Sequence, residues 1–273
     1  MMEVLLLPFQ FPFLQNAFLI TVMLSVPAAI LSCFLVLKGW SLMGDAISHA
    51  VFPGIVIAYV IGIPVIIGAF IAGMTCAILT GYIDENTRVK RDTVMGVVFS
   101  AMFGIGLVLY TKIEPGVHLE HLLFGNMLGV SPFDMWQTGI IALCVTLGLA
   151  FFWRDLLLHA FDEQQARALG LNVQLLHFGL LAVISLTVVA ALKAVGIILA
   201  IAFLIGPGAV AFLVTRRFGQ MIFLAIGVAV FSSVAGIYAS VFIDSAPAPT
   251  IVLIMSALFV LAFANTVRRN RLA

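Results

Sequence analysis

Segments of about 20 predominantly apolar residues recur along the chain, from Phe13 almost to the C-terminus, and that recurrence leaves few folds open. A stretch of this length is what an α-helix needs to cross the hydrocarbon core of a bilayer. Inside lipid, every backbone polar group must find a partner within the protein, so spanning segments are helices or closed barrels. A barrel would show short segments of alternating polarity, and none are present. Hydrophobic residues make up 63% of the chain and charged residues only 9%, which leaves no polar stretch long enough for a soluble domain. The chain therefore reads as all-α, a single polytopic membrane domain over residues 1–273.

Reading hydropathy against the charge clusters predicts spans at roughly 13–37, 47–62, 64–83, 93–111, 132–153, 174–192, 194–213, 219–241 and 248–266. If 47–62 or 1–30 is re-entrant or interfacial, eight spans result instead of nine. No Lys/Arg-rich region precedes the first segment, which is therefore expected to be retained. Basic residues gather at Lys38, Arg88/Lys90/Arg91, Arg154 with Arg167, Arg216/Arg217 and Arg268/Arg269/Arg271. Nine spans put all of these on one side, which the positive-inside rule makes cytoplasmic. The opposite side then carries Glu3, Lys112, Glu114, His118, Glu120, His121, Lys193 and Asp244. The expected protein is surrounded by membrane lipid, with its N-terminus outside and its C-terminus in the cytoplasm. A net charge of +1 argues neither way about a nucleic-acid partner, but there is no basic face to bind one. Cys33, Cys76 and Cys144 lie singly in apolar segments, and read as small buried hydrophobes rather than disulfides or a thiolate metal site.

Residues 38–54 break the hydrocarbon pattern, reading Lys-Gly-Trp-Ser-Leu-Met-Gly-Asp-Ala-Ile-Ser-His-Ala-Val-Phe-Pro-Gly. Asp45 and His49 stand four residues apart, so on a helix they project from one face a turn apart. Ionisable groups near membrane depth are costly and mark functional sites. A carboxylate oxygen and a neutral imidazole nitrogen suit first-row divalent ions such as Mn²⁺, Fe²⁺ and Zn²⁺, and no thiolate draws the site towards a softer metal. Two ligands are too few for a tight site, and a second copy of the chain across a two-fold axis would complete it. Incomplete coordination suits passage, because a transport site must release its ion. The alternative is that Asp45 caps a helix starting near Ala46, with His49 simply paired to it. The residues alone leave both open. Gly44, Pro53 and Gly54 predict a broken second span, and Gly206-Pro207-Gly208 predicts an interruption in the run from Val195 to Val214. Transporters use such breaks to build binding sites.

Two further stretches stand out. His118-Leu-Glu-His121, with Glu120 between the histidines, reads either as a cation-attracting cluster or as an ordinary polar loop. The loop at about 154–173 holds a short helix begun by Asp162-Glu163 and ended by Gly170. Ala166 and Leu169 give that helix a small apolar face, which suits docking to a soluble partner or lying at the membrane interface. No catalytic machinery is evident. GxxxxGK[ST], HExxH and GxSxG are all absent, so the chain has no P-loop of its own for ATP.

Taken together these residues resemble the permease subunits of bacterial metal ABC importers, the ABC-3 family. Gly44-Asp-Ala-Ile-Ser-His-Ala-Val-Phe-Pro-Gly54 looks like its GDAxSHAxxPG motif, and Phe161-Asp-Glu-Gln-Gln-Ala-Arg-Ala-Leu-Gly170 like its coupling loop. Leu123-Phe-Gly-Asn-Met-Leu-Gly129 and Ala194–Ala211 are further matches, although Gly206-Pro207-Gly208 departs from the usual Pro-Ala-Ala. The resemblance implies a fold similar to a reduced vitamin B12-type importer permease. It implies a second permease copy or paralogue, two cytoplasmic ATP-binding subunits that hydrolyse the ATP, and an extracytoplasmic metal-binding protein. It implies the bacterial cytoplasmic (inner) membrane as location. No cofactor would be permanently bound; the metal, Mn²⁺, Fe²⁺ or Zn²⁺, would be cargo. Lys38-Gly-Trp-Ser-Leu-Met-Gly-Asp45 looks closest to the manganese/iron branch, and histidine-rich loops expected for zinc are missing. Asp45 and His49 would be the metal-contacting residues, and 161–170 the ATPase-coupling segment. A secondary carrier driven by an ion gradient is the rival reading.

Overall fold

A computed structural model of the chain describes residues 10–113, 127 and 129–272. The described residues are helices and short connections, with no strand among them. In chain order the helices are α1 Pro12–Leu37, α2 Met43–Ala50, α3 Phe52–Ile61, α4 Val65–Asn86, α5 Arg91–Ile113, α6 Pro132–Phe161, α7 Glu163–Ala168, α8 Val173–Val195, α9 Ile197–Val214, α10 Phe218–Ile243 and α11 Pro247–Leu272. Nine stretches among the described residues are long and apolar enough to cross a membrane, with α2 and α3 together forming one of them.

The helix at the centre is α1, which has no polar face and is 72% buried along its apolar window. It packs against α6, α9 and α10. By contrast α5, α6 and α11 are only 22% buried within their apolar windows and turn large side chains such as Phe133, Trp136, Phe151 and Leu253 outwards. In water such a surface would aggregate; in lipid it is the natural solvent-facing side.

Three expectations need correction. The second span begins at Met43, not near 47, because Gly44, Asp45 and Ser48 lower its hydropathy without stopping the helix. Its break is a single residue, Val51, which keeps helical torsions, and Pro53 stands in the first turn of α3. The 154–173 segment is not a loop throughout: α6 continues to Phe161, past the charged Arg154 and Asp155. Gly206-Pro207-Gly208 does not interrupt α9, which runs unbroken from Ile197 to Val214. The proline removes one intrahelical bond, and Ser32 of α1 restores the connection from outside. Its hydroxyl accepts from the Gly208 N–H at 2.8 Å and donates to the Ile205 carbonyl at 3.1 Å. Neighbouring helices commonly rescue proline defects in membranes in this way. Among the cysteines, Cys33 and Cys76 are buried as expected, whereas Cys144 is exposed.

The two ends of the bundle differ in charge. Lys38, Arg91 and Arg167 line a cavity of about 600 Å³ at one end, and Arg216 and Arg217 line a second hollow beside Leu37 and Phe161. At the far ends of α6 and α8, Asp134 pairs with Lys193.

Candidate functional site

The short helix α2 stands at mid-depth of the bundle although it begins a span. Lys38–Leu42 form a turn with Gly39 at φ +67°, in which Trp40 is buried while Gly39 and Leu42 stay exposed. Gly44 then sits against Leu204 in the middle of α9, and Ile47 lies where α4 and α8 meet at Gly73 and Ser185. The α3 helix reaches α4 by direct backbone approach. A Cβ on Gly54 would lie 2.1 Å from the Gly68 carbonyl oxygen, and one on Gly68 would lie 2.3 Å from that of Gly54. Only glycine at both positions allows this crossing.

Asp45 and His49 come together on α2, with His49 Nδ1 3.3 Å from Asp45 Oδ1. No side chain caps α2; Asp45 sits inside its first turn, so the capping alternative is not what the geometry contains. The imidazole is wedged against Phe99 and Phe103 of α5, at ring-centroid distances of 5.7 and 5.8 Å. His49 Nδ1 also faces the Asp45 backbone carbonyl at 3.0 Å. With two oxygen acceptors at Nδ1, the ring proton belongs there, which leaves Nε2 as the lone-pair nitrogen. Fixing the tautomer through the other nitrogen is how proteins prepare a histidine for a metal. Both side chains remain about one-third uncovered, at 30% for His49 and 33% for Asp45.

A second polar cluster forms where the basic ends of α1, α6, α7 and α8 meet. Lys38 Nζ donates to His159 Nε2 at 2.8 Å and lies 3.8 Å from Glu163 Oε1. Two cations lie over the Trp40 ring, with Lys38 Nζ 4.4 Å and Arg91 Cζ 4.3 Å from its centroid. His177 meets the same ring edge-on at 5.2 Å. Burial pushes the Lys38 ammonium down to about 8, against the upward pull of Glu163 and with a further push from Arg91. His49 packs eight to twelve residues further along α5 than Arg91, so roughly 12–18 Å of helix rise separates the two clusters.

The remaining predicted residues fall out as follows. Asp162 is the N-cap of α7, accepting from the Gln164 and Gln165 N–H groups at 2.9 Å each. Glu163 turns back towards Lys38, Ala166 is fully buried, and Leu169 is exposed. Gly170 ends the segment at φ +79°. Gly206 packs on the Met255 sulfur, Pro207 lies within α9 and Gly208 touches Ser32. His118, Glu120 and His121 lie outside the described residues. Sequence reading missed Ser32, His159 and His177. His159 and Glu163 do carry an i, i+4 signal, but Lys38 and His177 join them only through the fold.

The model of the ABC 3 transport family matches residues 10–266. The chain is 53% identical over 255 residues to the chelated iron transport system membrane protein YfeD of Yersinia pestis, covering 93% of this chain and 86% of that one. It is 47% identical over 254 residues to the manganese transport system membrane protein MntC of Halalkalibacterium halodurans, covering 93% and 87%. Among solved structures, PsaBC from Streptococcus pneumoniae in complex with Fab is similar with a TM-score of 0.87 at 36% identity, covering 96% of this chain and 95% of that one.

Proposed function

The chain belongs to the ABC 3 transport family, and on that premise we propose that it is the membrane-spanning permease subunit of an ATP-driven importer of divalent first-row metal ions. The observation that carries this reading is the carboxylate–imidazole pair at mid-depth, one-third uncovered in a helix otherwise buried among apolar neighbours. An ionisable pair cannot face lipid there without a cost of several kcal/mol, so its open side belongs to a second permease copy or paralogue and the path between them. Each copy offers a carboxylate and a prepared Nε2, and the two together make a four-ligand gate. Oxygen and nitrogen donors suit Mn²⁺ and Fe²⁺. The names of the two relatives, chelated iron and manganese transport, favour the same pair over Zn²⁺.

The energy source is a separate subunit, since the chain has no P-loop. Its docking place is α7 with the exposed Leu169, at the basic end of the bundle. The positive-inside rule turns that end to the cytoplasm of a bacterial inner membrane, leaving the N-terminus outside and the C-terminus inside. An extracytoplasmic binding protein delivers the ion at the opposite mouth. ATP-driven closure then biases the permease between outward- and inward-facing states.

Asp45→Ala and His49→Ala are each expected to abolish metal-dependent growth and ⁵⁴Mn²⁺ uptake while the protein reaches the membrane at normal levels. Wild-type uptake in both variants would sink the assignment. Uptake that follows an ion gradient and persists without the ATPase would make the chain a secondary carrier instead.

A further inference from the structure

The Lys38 cluster is more than an ion pair. His159, Glu163 and His177 each offer one donor atom within 4.8 Å of the other two, the only such group of three found among the described residues. Donors around one ion at roughly 2.0–2.2 Å stand at most about 4.4 Å apart, so rotamer-scale movement closes this set. His159 is 1% exposed, and its Nδ1 has no hydrogen-bond partner among the described residues; the Glu163 carboxylate stands 3.7 Å away, too far for one. With its lone pair held at Nε2 by Lys38, the ring carries its proton at Nδ1, and that buried N–H is left short of an acceptor. The cluster leaves this imidazole incompletely satisfied beside a carboxylate and a second imidazole, a donor set that suits a cation in place of Lys38. The cavity of about 600 Å³ lined by Glu163 and His177 gives an ion a way in and out.

We propose that His159, Glu163 and His177 form an inner metal site on the exit path, and that Lys38 is the built-in cation that competes with the metal for it. The inference rests on the transport reading above and extends it to where the cargo goes after the α2 pair.

The competition follows from the chemistry of one ring. A neutral imidazole has a single lone pair, and the Lys38 ammonium, a donor only, holds it at Nε2. A metal taking Nε2 displaces Lys38 directly. A metal taking Nδ1 moves the ring proton to Nε2, where it faces the ammonium and breaks the contact. Either way no net proton is gained or lost by the ring, and metal and lysine exclude each other. Lys38 returning to His159 then expels the ion towards the cavity. Because Glu163 is the first residue of α7, occupancy of the site is felt at the helix proposed to meet the ATPase. Lys38 also begins the Lys38–Leu42 turn that leads into α2, so both clusters are tied to one short segment.

The test uses the complete transporter, permease with its ATPase subunits, in nanodiscs, with Co²⁺ as the spectroscopic probe. With Asp45→Ala and His49→Ala combined, one Co²⁺ site carrying nitrogen ligands is expected to remain in each copy of this permease. Lys38→Met in that background tightens it by roughly tenfold or more, the order by which neighbouring groups tune metal sites. His177→Gln or His159→Gln in the same background removes it. If His159→Gln fails to assemble, His177→Gln at the cavity wall decides. No Co²⁺ binding by the combined variant, with or without Lys38→Met, overturns the inner site. Unchanged affinity on Lys38→Met overturns the competition. Loss of one Co²⁺ equivalent between the wild type and the combined variant reports on the α2 pair separately, so the two readings fail independently.

Discussion

The α2 pair and the Lys38 cluster are built from the same chemistry, a carboxylate and an imidazole four residues apart in the chain: Asp45 and His49 within α2, and His159 near the end of α6 with Glu163 at the start of α7. They differ in what neutralises them. No lysine or arginine among the described residues forms a salt bridge with the α2 pair, and one-third of each side chain is left uncovered. The inner cluster is closed over a lysine that is 7% exposed. A site that lacks its own cation must take one from outside. A site that carries its own must give it up before it can take another. The first arrangement suits capture, and the second suits release.

The packing under the two regions differs as sharply, and the same substitution probes both. Gly54→Ala puts a methyl group 2.1 Å from the Gly68 carbonyl, with backbone on both sides and nothing that can give way. Separating α3 from α4 moves the floor of the α2 pair. A loss of about 1–3 kcal/mol or more is expected, with uptake lost alongside. Gly81→Ala, beside the inner cluster, meets only His177 Nε2 at 3.9 Å, an ordinary contact. There the added methyl is expected to stabilise α4 by roughly 0.5–1 kcal/mol. Thermal unfolding in detergent and ⁵⁴Mn²⁺ uptake measured on both variants would break the comparison if the two glycines behaved alike.

A smaller effect separates two residues that the sequence grouped together. Leu169 is 66% exposed and points away from the cluster, so Leu169→Ala is expected to weaken capture of the ATPase subunit by roughly tenfold, as loss of an interface anchor does. Glu163 looks inward at Lys38 and is 47% exposed, so its ion pair is worth little in isolation. Glu163→Gln is expected to leave ATPase capture intact and to slow uptake by roughly two- to fivefold, the range of a part-exposed ion pair. Pull-down of the ATPase and transport assays on the same preparations divide the roles. Equal effects of the two changes on capture would return both residues to a single docking surface.

How much of this was legible in the sequence depended on range. The spans were, because hydropathy sums over a helix and tolerates errors at its ends. Asp45 and His49 were, because their contact lies within one helical turn. The inner cluster was not: Lys38 just past the end of α1, His159 of α6 and His177 of α8 meet only after these helices pack. The Gly206-Pro207-Gly208 expectation failed for the same reason. The group that keeps α9 continuous is Ser32, on another helix more than 170 residues away in the chain. The onset of the second span was misplaced because functional polar residues depress hydropathy where the helix is sound. Local chemistry was readable, and chemistry assembled by packing was not.

The most local expected effect tests whether the inner cluster depends on an ordered α7. Six residues are too few to hold a helix by propensity, since nucleation alone is unfavourable. What starts α7 is the Asp162 carboxylate, which accepts two backbone N–H groups. Asp162→Ala removes both bonds and is expected to cost about 1 kcal/mol, seen as faster amide exchange through residues 163–168. Glu163 is the first residue of that helix, so fraying there should loosen its contact with Lys38 while leaving Asp45 and His49 untouched. Asp162→Asn keeps an accepting oxygen and should restore protection. Asn172→Ala provides the control, because it removes the comparable cap of α8, a helix of 23 residues held by packing along its length. If Asp162→Ala left exchange unchanged, α7 would owe its order to Ala166 buried beneath it, and movement of the coupling segment would then require unpacking rather than fraying.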